Sequence, residues 1–215
     1  MAYIISDTHF FHNNILKYNR PQFKSIEEMN ETLIERWNSI ISKGDRVFHL
    51  GDFAFGQDLD AIEQIIKRLN GRVYLIIGNH DTPAKIELYQ KYFKLFSLYK
   101  DGNIVFTHCP LHPALLEEIS PRSEGTNERF NVHGHNHRGC IPDSRYFNVC
   151  WDIEHKIYTL EEVRKKLSMS KIYCEHCGIE LTTQTKCQPD CTKEQYLCED
   201  CWADTGYSFE ALDNF

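Results

Sequence analysis

The sequence predicts a layered α/β domain with mixed sheets, followed by a small cysteine-rich module. Three observations predict it. Short apolar runs rich in β-branched and aromatic residues alternate with amphipathic helical patterns through the first half of the chain. Strand-like runs dominate after Asn103, which argues against a simple doubly wound sheet. Six of the 9 cysteines crowd beyond residue 170.

Each element has a local reason. A strand is expected over residues 3–6. Ser25-Ile26-Glu27-Glu28 reads as a capping box, with Ser25 as N-cap and Glu28 reaching back. Ile26, Met29, Leu33, Trp37, Ile40 and Ile41 then keep helical spacing and form one buried face, and Gly44 is the expected stop. A strand follows over 46–50. Asp60-Ala61-Ile62-Glu63 caps a second helix that turns Ile62, Ile65, Ile66 and Leu69 inward, with Gly71 just past its end. Further strands are expected over 72–77, 103–107, 129–133 and 145–150. Thr159-Leu160-Glu161-Glu162 caps a third helix that runs to about Leu167. The polar run 165–170 is the expected linker between a domain of 1–168 and a module of 171–203, with an acidic tail at 204–215.

Composition narrows the functional classes. The chain has 215 residues, 41% hydrophobic and 26% charged, as in ordinary globular proteins. A formal net charge of -7 excludes a uniformly basic nucleic-acid-binding surface, while a local patch stays open. No apolar stretch approaches ~20 residues, so no membrane span and no membrane partner are expected. The start has no basic n-region and meets Asp7 within one strand length, unlike a secretory signal. A reducing, cytoplasmic compartment is the expectation (a host's cytoplasm if the source is viral).

The chemistry lies in a spaced series of ligand-type side chains. It reads Asp7-Thr8-His9, Gly51-Asp52, Gly78-Asn79-His80-Asp81, His108 and Gly134-His135-Asn136-His137, each just after a strand-like run. Asp7 and His9 project to the same side of an extended chain and can reach one ion. Asp52 follows a glycine that allows a sharp turn, and its two oxygens can bridge two cations. Asn79 adds a neutral oxygen, and His108, His135 and His137 add nitrogens. Mixed N/O ligation without thiolate suits Mn, Fe, Co, Ni or Zn better than Ca or Mg. Two ions about 4 Å apart can share a hydroxide, which two cations make nucleophilic at neutral pH, and can bind both free oxygens of a phosphate. The leaving alkoxide needs a proton or a positive charge, and His80 beside Asn79 is placed to supply it. His49 and His133, inside strand runs, read as ordinary core histidines, and His12, His112 and His155 fit that reading too.

In this order the motifs D-x-H, G-D, G-N-H-D, H and G-H-x-H resemble the calcineurin-like metallophosphoesterase superfamily, over residues 2 to about 160. The likeness is closest to its small bacterial and phage-type phosphoesterases, which begin Ser-Asp-Thr-His-Phe, here Ser6 to Phe10. That resemblance implies a four-layer α/β/β/α sandwich with the site at one edge. It implies one metal on Asp7, His9, Asp52 and His137 and another on Asp52, Asn79, His108 and His135, bridged by Asp52. It also implies that His80 contacts the phosphate and assists the leaving group, and that Asp81 orients His80. Protein Ser/Thr phosphatases of the superfamily carry an arginine-bearing extension after G-D, and a GNHE. Gly51 to Gly56 and Gly78 to Asp81 lack both, which disfavours that class.

Substrate clues are thinner. Phe10, Phe11, Phe53 and Phe55 flank ligands and either stack a base or pack the core. His12, Arg20, Arg122, Arg129 and Arg138 either pair with substrate phosphates or lie on a solvated surface. The polar stretch 120–128 reads as a loop that could wall the cleft. The leading expectation is a two-metal phosphodiesterase acting on a nucleotide, cyclic nucleotide or oligonucleotide. A phosphomonoesterase is the runner-up. A non-catalytic recruitment protein on the same fold would be expected to lose ligands, and this chain lacks none.

In the tail, Cys174, Cys177, Cys198 and Cys201 form two C-x2-C knuckles with spacing suited to one structural zinc. So short a stretch would take its folding energy from the metal. Cys187 and Cys191, with His176, are candidates for a second ion or stay free thiols. Such a module could contact protein or nucleic acid, and its Glu and Asp content weighs against strong phosphate affinity.

Overall fold

The computed structural model describes residues 1–119 and 129–169, together with the backbone of strands at 172–173, 180–181, 188–190 and 195–197. In chain order the elements are β1 (Ala2–Ile5), α1 (Ile15–Tyr18), α2 (Ile26–Ile40), β2 (Arg46–His49), α3 (Leu59–Arg68) and β3 (Arg72–Ile76). Then come α4 (Pro83–Tyr89), β4 (Lys94–Phe96), β5 (Tyr99–Asp101), β6 (Ile104–Phe106), α5 (Pro113–Ile119), β7 (Phe130–His133) and β8 (Tyr146–Asn148). They are followed by α6 (Trp151–Glu154), β9 (Tyr158–Thr159) and α7 (Leu160–Met169). The chain divides into two compact units, Met1–Arg164 and Lys165–Phe215.

The first unit holds two sheets. One has the order β4-β3-β2-β1-β9, parallel except for β9. The other has the order β5-β6-β7-β8, parallel except for β5. Alternation along the strands assigns each face. Tyr3, Ile5, Val47, Val73 and Leu75 join Met29, Leu33, Ile34 and Trp37 of α2 and Ile62, Ile65 and Ile66 of α3 in one core. Burying each such side chain contributes roughly 1.5–3 kcal/mol. Phe48, on the opposite face of β2, stacks on Phe106 of the second sheet at 5.2 Å and meets Tyr99 at 5.0 Å. Beyond the second sheet, Leu116 of α5 packs with Val105 and Tyr146. Helices therefore flank the pair of sheets on both outer sides.

Capping chemistry sets the helix starts, with small shifts from expectation. Ser25 Oγ accepts the Glu28 N–H at 3.2 Å, and the Glu28 carboxylate takes the Lys24 N–H at 2.7 Å, one residue further back than a standard box. The helix α2 ends before Gly44, because Ile41 turns extended and buries its side chain. The N-cap of α3 is Asp58 rather than Asp60, accepting the Ala61 N–H at 3.0 Å, which leaves Asp60 in the first turn facing the positive end of the dipole. Thr159 and Glu162 form the full reciprocal box at α7. This helix continues through Met169, so residues 165–169 of the expected linker are helical, with the division between the two units just before them; the helix contains no glycine or proline to stop it.

In the second unit β10 (Ile172–Tyr173) pairs antiparallel with β11 (Glu180–Leu181), and β12 (Gln188–Asp190) with β13 (Gln195–Leu197). Cys174, His176, Cys177, Cys187, Cys191, Cys198 and Cys201 lie outside the described residues, as do Arg122 and the loop 120–128. Among the described residues, no helix is long and apolar enough to cross a membrane.

Candidate metal centre

The five motifs follow the C-terminal ends of β1, β2, β3, β6 and β7. The first three strands are mutually parallel, as are the last two, so segments distant in sequence end at the same edge of the molecule. Four of these residues are left-handed: Asp7 (φ 58°), His9 (φ 50°), Asp52 (φ 55°) and His135 (φ 66°). Each costs about 1–3 kcal/mol and needs a surrounding that enforces it. Each backbone N–H is accordingly bonded: Asp7 to Gly51 O at 3.0 Å, His9 to Asp52 O at 3.1 Å, Asp52 to Asp81 Oδ2 at 3.0 Å, and His135 to Asp7 Oδ2 at 3.0 Å. Two motif glycines are required by close approach. A Cβ on Gly78 would overlap the Asp52 carboxylate and its backbone nitrogen, and one on Gly134 would overlap Ser6 and Asp7.

The side chains form two groups that share Asp52. In the first, His9 Nε2 lies 3.8 Å from Asp7 Oδ1, 3.6 Å from Asp52 Oδ2 and 3.2 Å from His137 Nε2. His137 Nε2 is 3.7 Å from Asp7 Oδ1. In the second, His108 Nε2 lies 3.4 Å from Asp52 Oδ2, 2.8 Å from Asn79 Oδ1 and 3.2 Å from His135 Nδ1. Donors sharing one ion at ~2.1 Å stand roughly 3.0–3.4 Å apart, so both groups have nearly the size of a coordination sphere. Asp7 Oδ1 is a buried carboxylate oxygen with no hydrogen-bond partner, aimed at the first group. The donor set and this orphaned oxygen both fit divalent cations. Asp7, His9 and Asp52 are buried, whereas Asn79 and His135 are exposed and the His80 side chain is 43% exposed, so the centre opens on that side.

Electrostatics suit the same reading. Burial drives His9 well below the usual imidazole range and also lowers His135, leaving both neutral and free to donate. Burial raises Asp7. For Asp52 burial acts upward too, but the hydrogen bond and charge of His108 outweigh it and hold the carboxyl well below its usual range. Burial lowers His108, yet Asp52 and Asp7 outweigh it and raise the imidazole overall. The backbone carbonyl of Leu50 accepts from His108 Nδ1 at 2.8 Å, which turns Nε2 toward the centre.

Several expected roles change. Asp81 does not bond the His80 ring. Its carboxylate accepts the backbone N–H groups of Gly78 (2.8 Å), Asp52 (3.0 Å) and Phe53 (3.2 Å), which ties the G-N-H-D turn to the G-D turn. Burial raises its pKa to about 6. Arg20 is not at a substrate surface: it is fully buried and saturated by protein partners. Phe53 and Phe10 are fully buried and pack on each other at 5.2 Å, so they belong to the core. Phe55 and His12 line the opening instead, stacked at 3.8 Å with Phe55 5.0 Å from His80. Burial lowers His12 to about 4, so this ring is neutral. Arg138 is exposed and donates to Tyr18 O and Asn19 Oδ1. Arg129 pairs with Glu117, away from the centre. His49, bonded to Thr8 Oγ1, and His133 are buried in the core.

Two residues escaped the sequence reading. Asp152 accepts from His137 Nδ1 and pairs with Arg20. Its one legible signal is an acid just beyond a strand run, the rule that flagged Asp7 and Asp52. Buried Lys85 donates to Ala54 O (2.8 Å) and His80 O (3.0 Å), bracing the His80 turn, and its helical position gave no signal.

Residues 1–149 match the calcineurin-like phosphoesterase superfamily domain. The chain belongs to that superfamily. The calcineurin-like fold carries metal-dependent phosphoester hydrolysis, and among the described residues Asp7, His9 and Asp52 stand close enough to hold a metal ion, as do His108 and His135 with Cys109, and Asp7 and His137 with Cys150. A relative described as uncharacterized, from Methanocaldococcus jannaschii, is 32% identical over 148 residues, 68% of this chain and 74% of its own. The gene 66 protein of Mycobacterium phage L5 is 35% identical over 84 residues, 38% of this chain, which spans 40% of that protein. The crystal structure of a protein of unknown function from Aquifex aeolicus superposes with a TM-score of 0.56 at 26% identity, over 77% of this chain and 98% of that one.

Proposed function

We propose that this calcineurin-like chain is a two-metal phosphodiesterase acting on a nucleotide or oligonucleotide. The observation that carries the reading is the pair of donor groups meeting at Asp52 Oδ2, with half-exposed His80 Nε2 3.9 Å from the same oxygen. Asp7, His9, Asp52 and His137 would hold one ion, and Asp52, Asn79, His108 and His135 the other. The nitrogen and oxygen donors suit Mn, Fe, Co, Ni or Zn. Bound divalent ions supply Lewis acidity and an activated water. His80 stands at the open side, where its ring can bond a phosphate oxygen or protonate the leaving oxygen. Asp81 and Lys85 keep its turn in place from behind. The neutral, stacked Phe55 and His12 rings offer a flat apolar wall beside His80, which favours a diester bearing a base over a bare monoester. The cysteine-rich segment is assigned one structural zinc on Cys174, Cys177, Cys198 and Cys201, and a reducing cytoplasmic setting suits its thiols.

The test is the rate of Mn-loaded protein on bis-aryl phosphate against mono-aryl phosphate, extended to cyclic nucleotides, dinucleotides and single-stranded RNA and DNA. The diester is expected to turn over faster, and a faster monoester would move the assignment to a phosphomonoesterase. His80→Ala is expected to lower kcat by about 10²–10⁴-fold with metal content unchanged. Wild-type kcat in that variant refutes the role given to His80.

A further inference from the structure

We propose that Arg20 and Asp152 act as a buried positioning pair that presets the first metal group. The inference rests on the reading of Asp7, His9 and His137 as ligands. Arg20 is fully buried, and its five N–H donors are all used. Nε donates to Asp152 Oδ1 at 2.6 Å. Nη1 donates to Thr8 O at 2.7 Å and to Met29 Sδ at 3.5 Å. Nη2 donates to Asp7 O at 2.6 Å and to Asp152 Oδ2 at 3.3 Å. A guanidinium is costly to desolvate, and a complete set of acceptors is what makes such burial tolerable.

The acceptors show what the pair does. Two are consecutive carbonyls of the Asp7-Thr8-His9 loop, the stretch in which Asp7 and His9 hold left-handed backbone. A planar fork can seize two adjacent carbonyls at once, and an ammonium cannot match that geometry. The other side of the fork fixes Asp152, whose Oδ2 accepts from His137 Nδ1. That bond places the proton on Nδ1 and leaves Nε2 bare toward Asp7 and His9. One cation thus joins the two chain segments, 128 residues apart, that supply three of the four ligands of the first group. At the second group it is Lys85 that braces the G-N-H-D turn, through the Ala54 and His80 carbonyls, while the bonds of Arg20 and Asp152 go to the first. Loss of the pair should therefore be selective for one ion.

The metal-free, full-length chain would be titrated with Mn(II) by equilibrium dialysis, in wild type, Asp152→Asn and Arg20→Lys. Wild type is expected to bind two ions. Each variant is expected to keep one near wild-type affinity and to bind the other about 10–100-fold more weakly. Unchanged affinities, or equal weakening of both ions, overturn the proposal. A wild type that takes up no Mn(II) defeats the functional reading itself, a different result from two ions held equally well by wild type and variants. Should the variants fail to fold, nitrogen-15 NMR of the metal-free wild type decides: the His137 ring is expected as the Nδ1–H tautomer, and an Nε2–H tautomer contradicts the pair.

Discussion

Four of the seven candidate ligands, Asp7, His9, Asp52 and His135, are fixed twice, once by left-handed backbone and once by a bond to the residue's own backbone N–H. This is why local motifs announced the ligands: D-x-H, G-D and G-H-x-H are the turns themselves. The Phe53 and Phe55 outcome shows the limit of that logic. Both phenylalanines follow Asp52, but the turn at Asp52 buries one and leaves the other at the opening. Nothing in their spacing states which. Asp152 was missed although it follows a strand run, because its partners His137 and Arg20 lie elsewhere in the chain, and Lys85 was missed because it acts only through the Ala54 and His80 carbonyls. Protonation also belongs to this scale. Burial lowers His9, His135, His133, His12 (to about 4) and His49 (to about 3), from an ordinary value of 6.5. At these five rings the folded chain binds fewer protons than the unfolded one below that value, which makes stability rise with pH there. His108, Asp7 and Asp81, all raised by the fold, act in the opposite direction and offset part of it. The contribution of the five rings is complete above pH 6.5 and is lost as pH falls toward 4. Urea midpoints of the metal-free protein are expected to drop between pH 7 and pH 5; a midpoint that holds or rises would contradict these burials.

At the scale of elements, caps were the most legible signals because a cap is a short-range bond between named side chains. Ser25 and Thr159 start α2 and α7 as expected. The short strands β4, β5 and β9 were not foreseen. They are two or three residues long and exist by pairing with a neighbour already in place. No periodicity can show in so short a run. The cysteine-rich segment is read from spacing alone. A stretch this short buries too little apolar surface to fold without help, so one zinc should be structural and tightly held. Elemental analysis of the full chain purified without chelator should find a zinc that Cys174→Ser removes; equal zinc in both proteins contradicts the assignment.

Across the whole molecule, function follows from where two sheets end together. Parallel strands in each sheet point their C-terminal ends at one edge, and the facing aromatic residues Phe48, Phe106 and Tyr99 hold the sheets against each other. The first sheet supplies Asp7, His9, Asp52 and Asn79, and the second supplies His108, His135 and His137. Neither sheet alone completes either proposed ligand group. The layering was legible from alternation of apolar runs, and the resemblance in the motifs supplied the order of the ligands. The pairing of His137 with Asp152 needed the folded chain. The proposed substrate class rests on the Phe55 and His12 wall; sequence had placed Phe55 only among several flanking rings and His12 only among possible partners of a substrate phosphate.

The most direct measurement follows metal content and diester hydrolysis together, in wild type and in Asp52→Asn, before and after chelation. Wild type should hold two Mn ions at the centre and hydrolyse bis-aryl phosphate only when they are present, and Asp52→Asn should lose metal and turnover together. Hydrolysis that survives complete metal removal, or wild-type turnover in Asp52→Asn, would contradict a two-metal centre built on Asp52.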